Sequence, residues 1–427
     1  MSPVALAFIV LLVCLFLKMP VFASLLAGVA SYMIINPDIK QMIIAQKFIS
    51  GCESISLLAI PFFVCSGLLM NYSGITRRIM DLCEVITGHV PGGLAQVNVL
   101  LSTLMGGLSG SSLADAAMEA QMLVPEMERK GFSKPFASVV TAFSSLITPL
   151  IPPGLAMIVY GTIANVSIGK LFVSGLGIGI LLCLCMMLLV AFISKKRGYG
   201  MNRTDKITGK EVWHAFKGAA FPLCLPILII GSIRIGICTA TEAGAVSVIY
   251  ALLLGAVYRE LTLKRIFSTL QETVISTAGV MLIVGAASCF SWVMTKEQLP
   301  QAMAALMVDV IHSKVVFLLL TNILLLLAGM FLEGNAIMLV LVPLMIPIAK
   351  SYGINEINFA MMFIFNMAIG SITPPMGTCM FVTCGVTKCK TTDFIKESLP
   401  FFVMMLVLLA LITYVPFFST FLVDLIY

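Results

Sequence analysis

Two short stretches of this chain carry the residue types that could do chemistry. Ile151-Pro152-Pro153-Gly154 and Thr373-Pro374-Pro375-Met376 each place two adjacent prolines inside an apolar run. Proline has no N–H and clashes with the carbonyl one turn back, so each pair must break a helix. Pro152 and Pro153 free the carbonyls of Thr148 and Pro149. Pro374 and Pro375 free those of Gly370 and Ser371. In an apolar medium, freed carbonyls persist only where they are buried in protein or line a cavity. Their chemistry is that of a hard oxygen ligand, suited to a cation such as Na⁺.

A third stretch could complete such a site. Residues 106–115 read Gly-Gly-Leu-Ser-Gly-Ser-Ser-Leu-Ala-Asp. Ser109, Ser111 and Ser112 offer hydroxyl oxygens, and the glycines let backbone approach closely. With Thr148 and the freed carbonyls they would make an oxygen-only cage. The plainer alternative is that small residues merely let helices pack. A twin site would use Gly329, Gly370, Thr373 and Met376, with a simple proline kink as the alternative. Asp115, Glu119 and Glu333 are acids in apolar surroundings, where charge is costly and usually functional. Asp115 either organises the site or complements a helix N-terminus, and the tip serines also read as N-caps. Glu242 and Arg234 read as a polar break between two short spans. GxSxG, HExxH and Walker sequences are absent, so coupling should be to an ion gradient rather than to ATP hydrolysis. No metal cluster, disulfide, organic cofactor or nucleic-acid partner is expected.

The elements that must position these residues are membrane helices. Sixty per cent of residues are hydrophobic and 11% charged, against about 25% charged in soluble chains; the mean hydropathy is +1.08. The composition predicts an all-α polytopic membrane protein with roughly ten to fourteen segments. Spans are expected at 3–17, 20–36 and 53–72, with an interfacial stretch at 37–52 and an amphipathic helix at 74–88. A re-entrant hairpin over 90–129 precedes a broken span at 134–163 and a span at 170–194. The second half repeats the plan, with spans at 219–233, 240–257 and 273–293. A hairpin over 314–350, a broken span at 358–386 and a last span at 398–418 complete it. Gly107 and Gly329, Pro125 and Pro347, Gly131 and Gly353, Pro152-Pro153 and Pro374-Pro375, and Phe172 and Phe394 all lie 222 positions apart. One constant offset predicts an internal repeat: residues 1–194 and 219–427, joined by a polar cytoplasmic linker at 195–218. Five spans plus one hairpin per half invert the second copy. Most of the 26 Lys and Arg then fall on the linker side, among them Lys18, Arg77, Arg78, Arg203, Lys206, Arg259, Lys264 and Arg265. That side should be cytoplasmic, with the N-terminus outside.

These stretches resemble the large membrane subunit of tripartite ATP-independent periplasmic (TRAP) transporters. The likeness runs through Leu57–Phe63, Leu108–Ser111 with Ala114-Asp115, Ile151–Gly154, Thr239–Ala245 and Gly370–Gly377, and covers essentially the whole chain. It implies an elevator-type sodium symporter of an organic acid, such as a C4-dicarboxylate, sugar acid, keto acid or sialic acid. It implies two partners, a small four-helix membrane subunit and a soluble periplasmic binding protein, in a bacterial inner membrane among its lipids. By the same likeness, one sodium site maps to the first tip with Thr148, Ile151 and Pro153, and the other to Gly329, Gly370, Thr373 and Met376. Ser109, Asp115, Pro152, Gly154, Pro374 and Pro375 are the residues expected to meet substrate. A stand-alone sodium–carboxylate symporter of the same superfamily and a non-transporting scaffold of a membrane complex are the other two readings open at this stage.

Overall fold

In a lipid environment every backbone polar group must be satisfied inside its own segment or barrel. The described residues answer that demand with helices alone, and no strand occurs among them. The computed structural model describes residues 3–17, 19–200, 208–299, 301–302, 311, 313–330, 332, 334–375 and 377–427. The expectations placed on Lys18, Arg203, Lys206, Glu333 and Met376 lie outside the described residues. Among the described residues seven helices are long and apolar enough to cross a membrane, or eight if one bent pair is a single span.

Two apolar helices open the chain, α1 (Pro3–Phe16) and α2 (Val21–Ile35). They fold back on each other, and a Cβ on Gly28 would lie 2.9 Å from the Ala7 carbonyl. At 14 and 15 residues each falls short of the roughly 20 needed for an upright crossing. Next come α3 (Gln41–Cys52) and α4 (Ala59–Tyr72), the latter entered through a 3-10 turn at Ile55–Leu58. The amphipathic α5 (Ile75–Thr87) buries Ile75, Ile79, Leu82 and Cys83 while Arg77 and Asp81 face outward.

The first hairpin is α6 (Gly93–Ser109) followed by α7 (Ser112–Met122) and the short α8 (Val124–Arg129). The chain turns at Gly110, whose φ of 63° suits glycine. Ser102 on one arm bonds Glu119 on the other, two turns from the tip on each side, so the arms run antiparallel. The first interrupted helix is α9 (Lys134–Ser144), a 3-10 stretch (Ser145–Leu150), and α10 (Leu155–Ala164), bent by 42°. The long α11 (Ile168–Arg197) follows.

The second half holds α12 (Gly209–Arg234), α13 (Ala240–Val257) and α14 (Leu263–Lys296). A second hairpin, α15 (Lys314–Gly329) and α16 (Gly334–Ser351), closes at its base where the Phe317 and Tyr352 rings stack 5.0 Å apart. The second interrupted helix is α17 (Glu356–Gly370) and α18 (Thr378–Thr387), then α19 (Thr391–Tyr414) and α20 (Phe417–Ile426). The two interrupted helices pair reciprocally. Ser138 of α9 bonds Thr387 of α18 at 3.0 Å, and Tyr160 of α10 packs on Phe363 of α17 at 5.8 Å between ring centroids. Each half therefore meets the other before-to-after, as two antiparallel rods. Outside this bundle, α2 packs on α14 and α4 packs on α13, the same swap by the 222-residue offset.

Three elements differ from the sequence expectation. The polar linker is helical at both ends: α11 runs through Lys195, Lys196 and Arg197, and α12 already starts at Gly209. Basic residues are good helix formers and complement the C-terminal end of a helix dipole. The last span does not end at 418. Pro416 stops α19 at Tyr414 because the residue before a proline is driven out of the α region, and Val415 has φ −119° and ψ 86°. The Ile412 carbonyl that Pro416 frees accepts the Asn358 side-chain amide at 2.7 Å, and α20 then packs against α11. Lys264 and Arg265 lie in the first turn of α14, which starts at Leu263, ahead of the span expected from residue 273.

Candidate ion and substrate site

Both hairpin tips press onto a helix break, backbone to backbone. A Cβ on Gly106 would lie 2.9 Å from Thr148 Cα, and one on Gly107 3.3 Å from the Pro152 carbonyl and 3.4 Å from Ile151. One on Gly110 would lie 2.9 Å from the Pro153 carbonyl. The first tip is thus seated along 148–153. In the second half a Cβ on Gly329 would sit 2.8 Å from Gly370 Cα, and one on Gly370 2.7 Å from Gly329 Cα. No residue with a side chain fits either member of that pair without displacement. The spacing that suggested twin sites therefore becomes twin contacts.

At the first tip three of the expected residues converge. Ser109 and Thr148 donate to the same carboxylate oxygen of Asp115, at 2.7 and 2.6 Å. Asp115 and Thr148 are fully enclosed, and Ser109 is half-buried. Because both hydroxyls spend their protons on Asp115, lone pairs remain to face a cation, one of the two on Ser109 being taken by the Ser111 N–H. Ile151, Pro152, Pro153 and Gly154 are all buried behind them. Ser111 joins this cluster only through its backbone N–H, which donates to the Ser109 hydroxyl oxygen at 3.4 Å, and the Ser111 and Ser112 hydroxyls bond elsewhere. Ser111 caps α7 by accepting from the Ala114 N–H at 3.4 Å, the capping role its sequence also allowed. Ser112 accepts from the Cys379 thiol at 3.8 Å. Asp115 bonds Ser109 and Thr148, one on the tip and one on the break, and so ties the two segments together as well as charging the N-terminal turn of α7.

The freed carbonyls are partly reclaimed. Thr148 accepts from Ile151 N at 3.2 Å, Gly370 from Thr373 N at 3.1 Å, and Ser371 from Cys379 N at 2.9 Å. A carbonyl oxygen has two lone pairs, so one remains on each. Thr373 donates its hydroxyl to the Ile369 carbonyl at 2.7 Å, which again leaves its oxygen free to accept. Pro374 is half-buried and Pro375 is exposed. The two sites meet at Cys379, whose thiol faces Ser371 of the second break and Ser112 and Ser145 of the first half.

A polar clasp behind each tip was not legible as a unit. In the first half Ser102 lies 2.6 Å from the Glu119 carboxylate and 2.8 Å from Ser144, while Asn98 bonds Thr141 at 2.6 Å. In the second, Asn366 bonds Asn322 at 2.8 Å, and Asn322 bonds Thr413 at 3.0 Å. Ser144 and Asn366 are themselves 222 positions apart. The signal that could have found them is the isolated polar residue within an apolar helix, costly in lipid unless it has a partner. Glu242 proves structural: it forms a capping box with Thr239, accepting from its backbone N–H at 2.7 Å.

Seven or more apolar spans, two hairpins and two interrupted helices define a multi-pass helical membrane protein. The crystal structure of the YdaH transporter of Alcanivorax borkumensis superposes with a TM-score of 0.60, covering 87% of this chain and 86% of that one at 15% identity, which establishes the fold. The sequence profile described as "Tripartite ATP-independent periplasmic transporter, DctM component" matches residues 8–418. The chain belongs to that family, the large permease proteins of TRAP transporters, which are not enzymes. The sialic acid TRAP transporter large permease protein of Vibrio cholerae is 40% identical over 96% of both chains. The C4-dicarboxylate TRAP transporter large permease protein of Pseudomonas aeruginosa is 35% identical, over 92% of this chain and 91% of its own.

Proposed function

We propose that this chain carries an organic acid across a bacterial inner membrane, driven by a sodium gradient. The observation that carries the reading is the pair of tip-on-break contacts. At the first, two hydroxyls converge on Asp115 beside proline-freed carbonyls. One Na⁺ would be held by Ser109, Thr148, Ile151 and Pro153, with Ser111 and Ser112 adjoining, and another by Gly329, Gly370, Thr373 and Met376. Only oxygen is offered in these sets apart from the Met376 side chain, which suits a hard cation. Residues 1–194 and 219–427 would be inverted repeats joined through 195–218 on the cytoplasmic side. The hairpins and interrupted helices would move as an elevator against the remaining helices. Substrate would meet the site at Ser109, Pro374 and Pro375, where side chains reach the surface; Asp115, Pro152 and Gly154 would support that face from beneath. The named relatives transport a sialic acid and C4-dicarboxylates, both of them carboxylates. The word tripartite in the family description calls for two partners, read here as a small membrane subunit and a soluble periplasmic binding protein.

The test is uptake of radiolabelled sialic acid or succinate into vesicles reconstituted with this chain and both partners. Uptake should need an inward Na⁺ gradient and should vanish when either partner is left out. Equal uptake under a K⁺ gradient, or with ATP alone, would overturn the reading.

A further inference from the structure

Away from the tips, a cavity of about 420 Å³ opens between α3, α14, α10 and α16. Its size lies in the range of roughly 300–1,000 Å³ typical of small-molecule sites. Its charged lining residue is Lys47, which has no ion-pair partner among the described residues. Opposite stands a stripe of hydrogen-bonding side chains on α14. Ser288, Ser291 and Thr295 recur at helical spacing, with Trp292 on the same face. Thr162 of α10 adds a hydroxyl from the far wall. This stripe sits in the more apolar half of a helix that could otherwise have presented only aliphatic residues to lipid. A lysine that only snorkels to the interface would need no such lining.

We propose that this cavity is a second, outer binding site for a small hydroxylated carboxylate. Lys47 pairs with the carboxylate, the Ser288–Ser291–Thr295 stripe takes up its hydroxyl or amide groups, and the Trp292 ring covers its apolar face. Two walls belong to α3 and α14, and the other two to α10 and α16 of the hairpin bundle. A site shared between the two groups holds the acid where it first enters from the side opposite the linker. The proposal rests on the organic-acid reading above for its ligand class, but not on sodium coupling.

The experiment uses Ser291→Cys in the assembled transporter, with unmutated protein supplying the background from native cysteines. Its labelling rate is measured with an anionic and a cationic methanethiosulfonate of similar size, with and without Lys47→Gln. The anionic reagent should react preferentially while Lys47 is present. In Lys47→Gln the anionic reagent should slow about fivefold and the cationic one quicken about fivefold, the effect of one unit charge on each at close range in water. Millimolar sialic acid or malate should slow labelling only when Lys47 or Lys47→Arg is present. In uptake, Lys47→Gln should raise the half-saturating acid concentration and leave the maximal rate near normal. An unchanged reagent preference, or no protection by either acid while uptake proceeds, would overturn the outer site and leave the sodium reading intact. Protection without Na⁺-dependent uptake would do the reverse.

Discussion

At the level of single residues, the candidate site is a set of hydroxyl oxygens whose protons are already committed to protein acceptors. Ser109 and Thr148 give theirs to Asp115, and Thr373 gives its proton to the Ile369 carbonyl. Thr373→Val keeps the shape and removes one such oxygen. Losing a coordinating or hydrogen-bonding group costs roughly 1–3 kcal/mol, or about a five- to hundredfold change in affinity. The Na⁺ concentration for half-maximal uptake should therefore rise by that factor at matched expression. Thr383 is the control. Its hydroxyl is buried without a partner among the described residues, so Thr383→Val should leave Na⁺ dependence unchanged and stability equal or better. A shift of equal size in both variants would remove Thr373 from the ligand set. The double prolines and the tip residues could be picked out in sequence because their backbone consequences are local. The bonding of Thr148 to Asp115, 33 positions away, could not, because only the fold decides which oxygen receives which proton.

At the level of elements, hairpins and breaks are held by glycines facing backbone. Gly370→Ala would push a methyl into Gly329, whose main chain cannot retreat while α15 remains docked. Overpacking of this kind costs about 1–3 kcal/mol. Detergent-solubilised Gly370→Ala should lose thermal stability against a control such as Gly385→Ala, where a methyl meets nothing within 4 Å. Equal melting temperatures would mean that the tip and the break are not in contact. The sequence also marked α5 and both hairpins, each through a periodic or positional signal, whereas Glu242 read only as part of a polar break and its capping box with Thr239 came from the structure. It did not mark α20 as a separate helix. A proline near the end of an apolar run can kink or terminate, and what decides is whether another element, here Asn358, satisfies the freed carbonyl.

At the level of the whole molecule, composition alone fixed the membrane, and the offset between double prolines pointed to two related halves. What sequence could not supply was how the halves meet. The swap of α9 with α18 and α10 with α17 joins residues more than two hundred positions apart, and a packing partner at that distance leaves no local trace. This interlock has a kinetic consequence. Each interrupted helix braces the other, and Cys379 touches both breaks, so neither half of the bundle has a surface along which to slip past the other. Whatever displacement the bundle undergoes must have one relaxation time, not two. Fluorophores at Met122 and at Lys388, both exposed and one in each half, should report the same rate constant after a jump in ion concentration. Two distinct rates would mean that the halves move separately and that the interlock opens during each cycle.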